Sequence, residues 1–319
     1  MQKANLAFTG IPTFGRASLK DVTERWHAHA AVLGVPYDAG TGFRPGARFG
    51  PRSIREMSMR FPFFDPQDGY RGYYNPDLSR HFLKGIKVVD CGDVDIIYLD
   101  LDRNYSQIQG VVEAIRQHGS LPIILGGDHS ITFPVLRAFH GGPELCIVHF
   151  DAHLDYRDSY MGVTLSHGSP MRRCSELPYV TSIVSLGIRG LRVVESDLMD
   201  ALLSKSKVVT YRQYLARGPD LFYAALPEQG TPCYVTIDID VLDPSLCPGT
   251  GTPEPDGLSL YELCDLLRGV AGRLRIVGFD LVEVNPLFDP GGLTSLASSQ
   301  IIMEFLGAIF EKHSCNDVR

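Results

Sequence analysis

The stretch "IVHFDAHLDYRD", residues 147–158, decides how this chain reads. An apolar run enters it. Asp151, His153 and Asp155 follow, all metal-ligand types and each two positions from the next. In an extended chain, residues i, i+2 and i+4 project to one side. The three side chains therefore converge wherever the extended conformation persists. Two other apolar runs end in the same way, "VTIDIDVLDP" with Asp238 and Asp240 and "IILGGDHS" with Asp128 and His129. In open α/β sheets ligands bind beyond the carboxyl ends of the strands. The three clusters can then meet in one crevice.

Working outward, short β-rich runs alternate with helical patterns. Strands are expected at 30–37, 86–93, 121–127, 145–153, 181–190, 206–211, 232–240 and 275–284. Most are apolar without alternation, as strands covered on both faces read. Helices are expected at 106–119, with Ser106 as N-cap, at 258–272, with Ser259 as cap, and at 298–313. This order predicts one α/β domain with a mostly parallel sheet over 26–319, preceded by an arm at 1–25 whose "GIPTF" packs against it. Segment 60–85 is rich in aromatics, Gly and Pro and has no period. It reads as a long loop, either a surface insertion, an oligomer contact or a pocket wall.

His129, Asp151, His153, Asp155, Asp238 and Asp240 can together hold two divalent cations. Left unpaired, their carboxylates would repel one another and resist desolvation. Oxygen-dominated ligation with imidazole and no thiolate favours Mn²⁺ over structural Zn²⁺, with Fe²⁺, Ni²⁺ and Co²⁺ left open. Two such ions can share one water and lower its pKa toward neutrality, so no Ser or Cys nucleophile is needed.

Composition narrows the class. Hydrophobic residues make up 44% and charged residues 21% of 319, which is ordinary for a soluble globular chain. A net charge of −7 argues against nucleic acid and anionic membrane as partners. Seven Cys, an odd number without a CxxC pair, predict a reducing, cytoplasmic setting. No stretch approaches a membrane span.

"GGDHS", "DAHLD" and "DIDVLDP", in this order, resemble the ureohydrolase superfamily of arginases and agmatinases. "GTGFRPGARFGPRSIR" (40–55), "SHGSP" (166–170), "PGTGTPEPDGLS" (248–259) and "VEVNP" (282–286) fit it as well. The similarity covers roughly residues 30–310. "GIPTF" looks more like the agmatinase branch, with guanidinobutyrase and proclavaminate amidinohydrolase, than like arginases. The resemblance implies a three-layer α/β/α fold with an eight-stranded mostly parallel sheet. It also implies two Mn²⁺ per subunit, a homo-oligomer (trimer or hexamer) and hydrolysis of a small cationic guanidino substrate to urea and an amine. By motif position it makes the six residues above the metal ligands. His167 becomes the proton shuttle, and Glu283 the group that binds the guanidinium. Asp128 is expected to orient His129 or a metal-bound group.

Arg157 stands where arginases usually carry an Asn that helps hold a carboxylate. It is thus a candidate for recognising a carboxylate tail, with a plain salt bridge as the alternative. Arg172 and Arg173 suit a solvated helix face better than a pocket mouth. Agmatine or a similar linear guanidine is the expected substrate. The rival readings are 4-guanidinobutanoate or 3-guanidinopropanoate, formiminoglutamase-like hydrolysis, guanidine or a substituted guanidine, and a non-catalytic metal-binding partner subunit. A deacetylase-like single-metal site ranks lowest, since it would not need both Asp151 and Asp238.

Overall fold

Strands covered on both faces need apolar residues at every position, and the structure, a computed structural model describing residues 6–311, shows both covers. The strands are β1 (Ser18–Leu19), β2 (Ala30–Gly34), β3 (Tyr73–Asn75), β4 (Arg80–Phe82), β5 (Val88–Asp93), β6 (Leu121–Leu125), β7 (Leu145–Phe150), β8 (Val180–Ile188), β9 (Ser206–Thr210), β10 (Pro232–Asp238) and β11 (Arg275–Val282). The helices are α1 (Gly50–Ser58), α2 (Leu101–Gln117), α3 (Thr132–Arg137), α4 (Pro170–Ser175), α5 (Glu195–Leu203), α6 (Tyr211–Arg217), α7 (Pro219–Ala225), α8 (Leu260–Arg273) and α9 (Leu293–Ile309).

Successive residues of each central strand feed opposite cores. On β7, Cys146, Val148 and Phe150 join one apolar cluster, while Leu145 and Ile147 join the other. The first cluster is closed by residues of α1, α6, α7, α8 and α9, and the second by residues of α2, α3, α4 and α5. This is the three-layer α/β/α arrangement.

The sheet runs β1-β5-β2-β6-β11-β10-β7-β8-β9, and every pair in it is parallel. It has nine strands where eight are expected. The extra one is the two-residue β1 on the edge, drawn from the segment read as an arm. That segment is fastened by Phe14, which is fully buried and donates its N–H to Asp90 Oδ2 at 2.8 Å.

Two helix starts differ from the reading. Helix α2 begins at Leu101, capped by the Asp100 side chain, because Asn104 and Tyr105 are buried and must lie on the helix. Ser106 instead bonds the Asp102 carbonyl. Helix α9 begins at Leu293 after Gly292, and the expected end at residue 313 lies outside the described residues. Ser259 caps α8 as expected, in a reciprocal pair with Glu262. Segment 60–85 is not all loop. It folds a small antiparallel hairpin, β3–β4. No helix among the described residues is long and apolar enough to cross a membrane.

One buried ion pair bolts this frame. The Arg55 guanidinium on α1 grips both oxygens of Asp90, at 2.9 and 3.0 Å, and Asp90 is fully buried. Removing one partner of such a pair leaves an uncompensated charge in the core. Arg55→Ala is therefore expected to cost about 3–5 kcal/mol in urea unfolding. A loss below about 1 kcal/mol would show that the pair carries no structural weight.

Candidate metal centre

β6, β11, β10 and β7 lie side by side, and their carboxyl ends deliver the site. At the end of β6 the chain passes very close to Tyr37. A Cβ on Gly127 would sit 1.7 Å from the Tyr37 carbonyl oxygen, so only glycine fits. Asp128 then caps a short 3₁₀ turn that begins at His129. Its side-chain hydrogen bonds go to Ser130, Gly40 and Thr41, so among the described residues it acts on the turn that carries His129 and not on the His129 ring. It clamps the Gly40–Thr41 segment over the site. Burial, then the nearby Glu283 charge, push its carboxyl up to about 7.

Beyond β7 the extended conformation does not persist. The strand ends at Phe150, the His153 N–H turns back to Asp151 Oδ1 at 2.5 Å, and Asp155 adopts a left-handed φ of 49°. This coil, rather than strand alternation, carries the Asp155 carboxylate back to His129. Glu283, just past β11, is also left-handed, with φ of 64°. Such conformations cost energy in non-glycine residues and persist where the surroundings over-determine them.

All six residues predicted to hold metal meet in one place, in two groups. His129 Nδ1 lies 3.1 Å from Asp151 Oδ2, 3.0 Å from Asp155 Oδ2 and 3.4 Å from Asp238 Oδ2. His153 Nδ1 lies 3.0 Å from Asp240 Oδ2 and 3.5 Å from Asp151 Oδ1. Asp151 thus gives one oxygen to each group. The far nitrogen of His129, Nε2, is 2.9 Å from Thr236 Oγ1, and its Nδ1 is buried without a hydrogen bond. A nitrogen lone pair ringed by carboxylate oxygens is repulsive unless a proton or a metal ion sits among them. The donor set therefore fits two divalent ions, one per group, with Asp151 shared.

Without a cation the electrostatics are severe. Burial, then the charges of Asp240 and Asp151, push the Asp238 carboxyl well up. Burial opposes charge on Asp151 too, but His149, His129 and His153 outweigh it and hold that carboxyl well below its usual range.

His167 and Glu283 sit beside this cluster. Glu283 is buried, and its Oε1 accepts from His129 N at 3.0 Å and faces His167 Nδ1 at 3.1 Å. Burial works to lower the His167 pKa, but the hydrogen bond to Glu283 and its charge prevail and raise it to about 9. His167 Nε2 also accepts the Gly42 N–H at 3.1 Å. The ring cannot carry a proton on Nε2 and keep that bond, so protonation there requires release of the Gly42 segment.

A cavity of about 400 Å³ opens from these groups, and Arg157, Tyr160, Met161, Arg192 and Asp197 also line it. Arg157 lies over the Tyr160 ring, and its nearest acid is Asp197 at 3.8 Å. Arg172 and Arg173 do not line the cavity. They pair with Asp200, Asp158 and Glu176 on the helix face. Within the chain, segment 60–85 lies elsewhere and lines a separate groove beside α8 and α9.

Several polar groups behind the cluster escaped the sequence reading. Glu254 faces His153 Nε2 at 3.3 Å, and Arg189 donates to the carbonyls of Asp240 and Glu254 at 2.8 and 3.0 Å. His149 Nε2 lies 2.8 Å from Asp151 Oδ2. One step back along the alternation from Asp151 would have found His149, and Thr236 stands in the same relation to Asp238.

The arginase family profile matches residues 28–307. The mitochondrial guanidino acid hydrolase of Homo sapiens is 37% identical over 287 residues, 88% of this chain and 78% of the relative. The agmatinase of Bacillus anthracis is 35% identical over 295 residues, 92% of this chain and 96% of the relative. The solved proclavaminate amidino hydrolase of Streptomyces clavuligerus superposes with a TM-score of 0.80 at 34% identity, covering 95% of this chain and 98% of that one.

Divalent metal is expected to stabilise the fold by about 2.7 kcal/mol at a hundredfold excess over Kd. Thermal melts of EDTA-stripped protein with and without added Mn²⁺ measure this, with Asp151→Ala as the variant that should lose the shift. Superimposable wild-type melts would remove the metal from the site.

Proposed function

We propose, for a chain that belongs to the arginase family, that the two side-chain groups hold a pair of Mn²⁺ ions and that the substrate is a small linear guanidine of the agmatine kind. The chain is a hydrolase of C–N bonds in linear amidines, an amidinohydrolase for a small guanidino compound. The observation that carries the metal reading is the division of Asp151, one oxygen toward His129 and the other toward His153.

His129, Asp151, His153, Asp155, Asp238 and Asp240 would hold the pair, which when bound would lower the pKa of water and supply a nucleophile at neutral pH. The chain's own residues do the rest. Glu283 Oε2 is not taken up by His129 or His167, which both use Oε1, so it is the oxygen available to a guanidinium N–H. Release of His167 would leave Oε1 with the His129 N–H alone and open a second lone pair for a bidentate grip. Water adds to the guanidinium carbon, the C–N bond to the alkyl nitrogen breaks, and urea and an amine result. The departing nitrogen needs a proton, and His167, once free of Gly42, is placed to give it. Asp128 holds the Gly40 segment to which His167 N also donates, at 3.1 Å.

A second reading concerns the tail. Among the described residues the Arg192 side chain makes no hydrogen bond or ion pair, and that of Arg157 makes only a long ion pair, to Asp197 at 3.8 Å. Two cations line the cavity against the one acid Asp197 beside them, a balance that favours a carboxylate tail, as in 4-guanidinobutanoate or 3-guanidinopropanoate, over the ammonium of agmatine. The free cysteines support a cytoplasmic compartment. Exposed Tyr74, Leu78 and Tyr261 around the hairpin groove support a homo-oligomer contact there.

Urea release from the Mn²⁺-loaded protein tests the reading against agmatine, arginine, the two guanidino acids, formiminoglutamate and guanidine. No turnover on any of them, with any divalent metal, would leave a non-catalytic metal-binding subunit. His167→Asn is expected to lower kcat by about 10²–10⁴-fold with a smaller change in KM. Wild-type kcat in that variant would remove the proton-donor role. Arg157→Ala is expected to raise KM for the acids and leave agmatine turnover unchanged, whereas an equal loss for both would end the carboxylate-tail reading.

A further inference from the structure

Directly beneath the cluster, four strands place polar residues in one row. Ser185 on β8 pairs with His149 on β7, His149 with Thr236 on β10, and Thr236 with Asp280 on β11. All four are buried. Burying a polar group costs free energy unless a partner satisfies it. A row of four in register therefore calls for a reason beyond packing.

We propose that His149 is a positioning residue that fixes Asp151 as the carboxylate shared between the two groups, an inference that rests on the two-metal reading above. Asp151 accepts one hydrogen bond on each oxygen. His149 Nε2 is 2.8 Å from Oδ2, and His153 N donates to Oδ1 at 2.5 Å. Those two bonds fix the carboxylate plane. One lone pair per oxygen then faces outward, Oδ2 toward His129 Nδ1 and Oδ1 toward His153 Nδ1.

The tautomer of His149 is set from behind. An ionised carboxylate only accepts, so the ring proton on that edge is on Nε2. Nδ1 then accepts from Ser185 Oγ, 3.0 Å away. The sheet register supplies the hydroxyl at that spot, since Ser185 is the direct cross-strand partner of His149. Without His149, Oδ2 loses this hydrogen bond, and Asp151 can rotate and turn both oxygens to one ion. His149 touches no substrate. It acts through Asp151, as partners behind metal ligands do.

The test compares His149→Leu, which cannot donate, with His149→Gln, whose amide can. Mn²⁺ is titrated into the EDTA-stripped full chain, stoichiometry and affinity are read by calorimetry, and the loaded protein is examined by electron paramagnetic resonance. The Leu variant is expected to bind Mn²⁺ about 10–100-fold more weakly and to replace the spectrum of a coupled pair with that of isolated ions. The Gln variant is expected to stay within about threefold of wild type, a rescue that packing alone would not give. A Leu variant that binds two ions with unchanged affinity and spectrum overturns the proposal. If the Leu variant does not fold, Ser185→Ala decides. It should weaken Mn²⁺ binding several-fold by releasing the ring, and an unchanged affinity overturns the proposal equally. Wild-type protein that binds no pair of ions would instead bring down the two-metal reading itself, and this inference with it.

Discussion

Mutual repulsion among buried carboxylates is the constraint on which the rest of this structure depends. Asp151, Asp238 and Asp240 are all buried at the ends of two adjacent strands, with Asp155 beside them. Like charges so placed do not neutralise one another, and burial strips them of water. The surrounding architecture is arranged around that problem. Two imidazoles face into the cluster, and a hydrogen-bonded layer lies behind it. The backbone is held in left-handed turns at Asp155 and Glu283 that would relax elsewhere. Cations bound among these groups would complete the balance.

Much of this was legible in the residues, for identifiable reasons. Strands covered on both faces leave unbroken apolar runs, and all eight of those runs became strands within a few residues of where they were read. The six cluster residues were legible because their types recur at strand ends, where an α/β sheet opens a crevice. The two-residue β1 was not legible, since a strand that short has no period. The start of α2 was missed because Asp100 and Ser106 are both good caps. Only the burial of Asn104 and Tyr105 chose between them.

The polar row beneath the cluster was invisible for a different reason. Ser185, His149, Thr236 and Asp280 are neighbours only through strand register, which sequence does not print. Asp280 left the one local trace, a lone acid inside "RIVGFDLV". It accepts from Thr132 Oγ1 and Tyr234 Oη, both at 2.9 Å, and burial raises its carboxyl pKa. The convergence of Asp151 and Asp155 was read correctly, but from the wrong geometry. The chain coils rather than continuing as a strand.

The strand order has a consequence for how the molecule comes into being. β11, the last strand in the chain, lies in the middle of the sheet between β6 and β10. On one side stand β1, β5, β2 and β6, and on the other β10, β7, β8 and β9, and β11 alone joins them. Without β11 the sheet is two four-stranded halves that no strand joins. Contacts this distant along the chain close slowly, because loop entropy must be met first. Glu283 and the union of His129 with the aspartates from the far half both arrive with that keystone strand. A chain that stops before β11 therefore lacks both Glu283 and the strand that joins the His129 half of the crevice to the aspartate half.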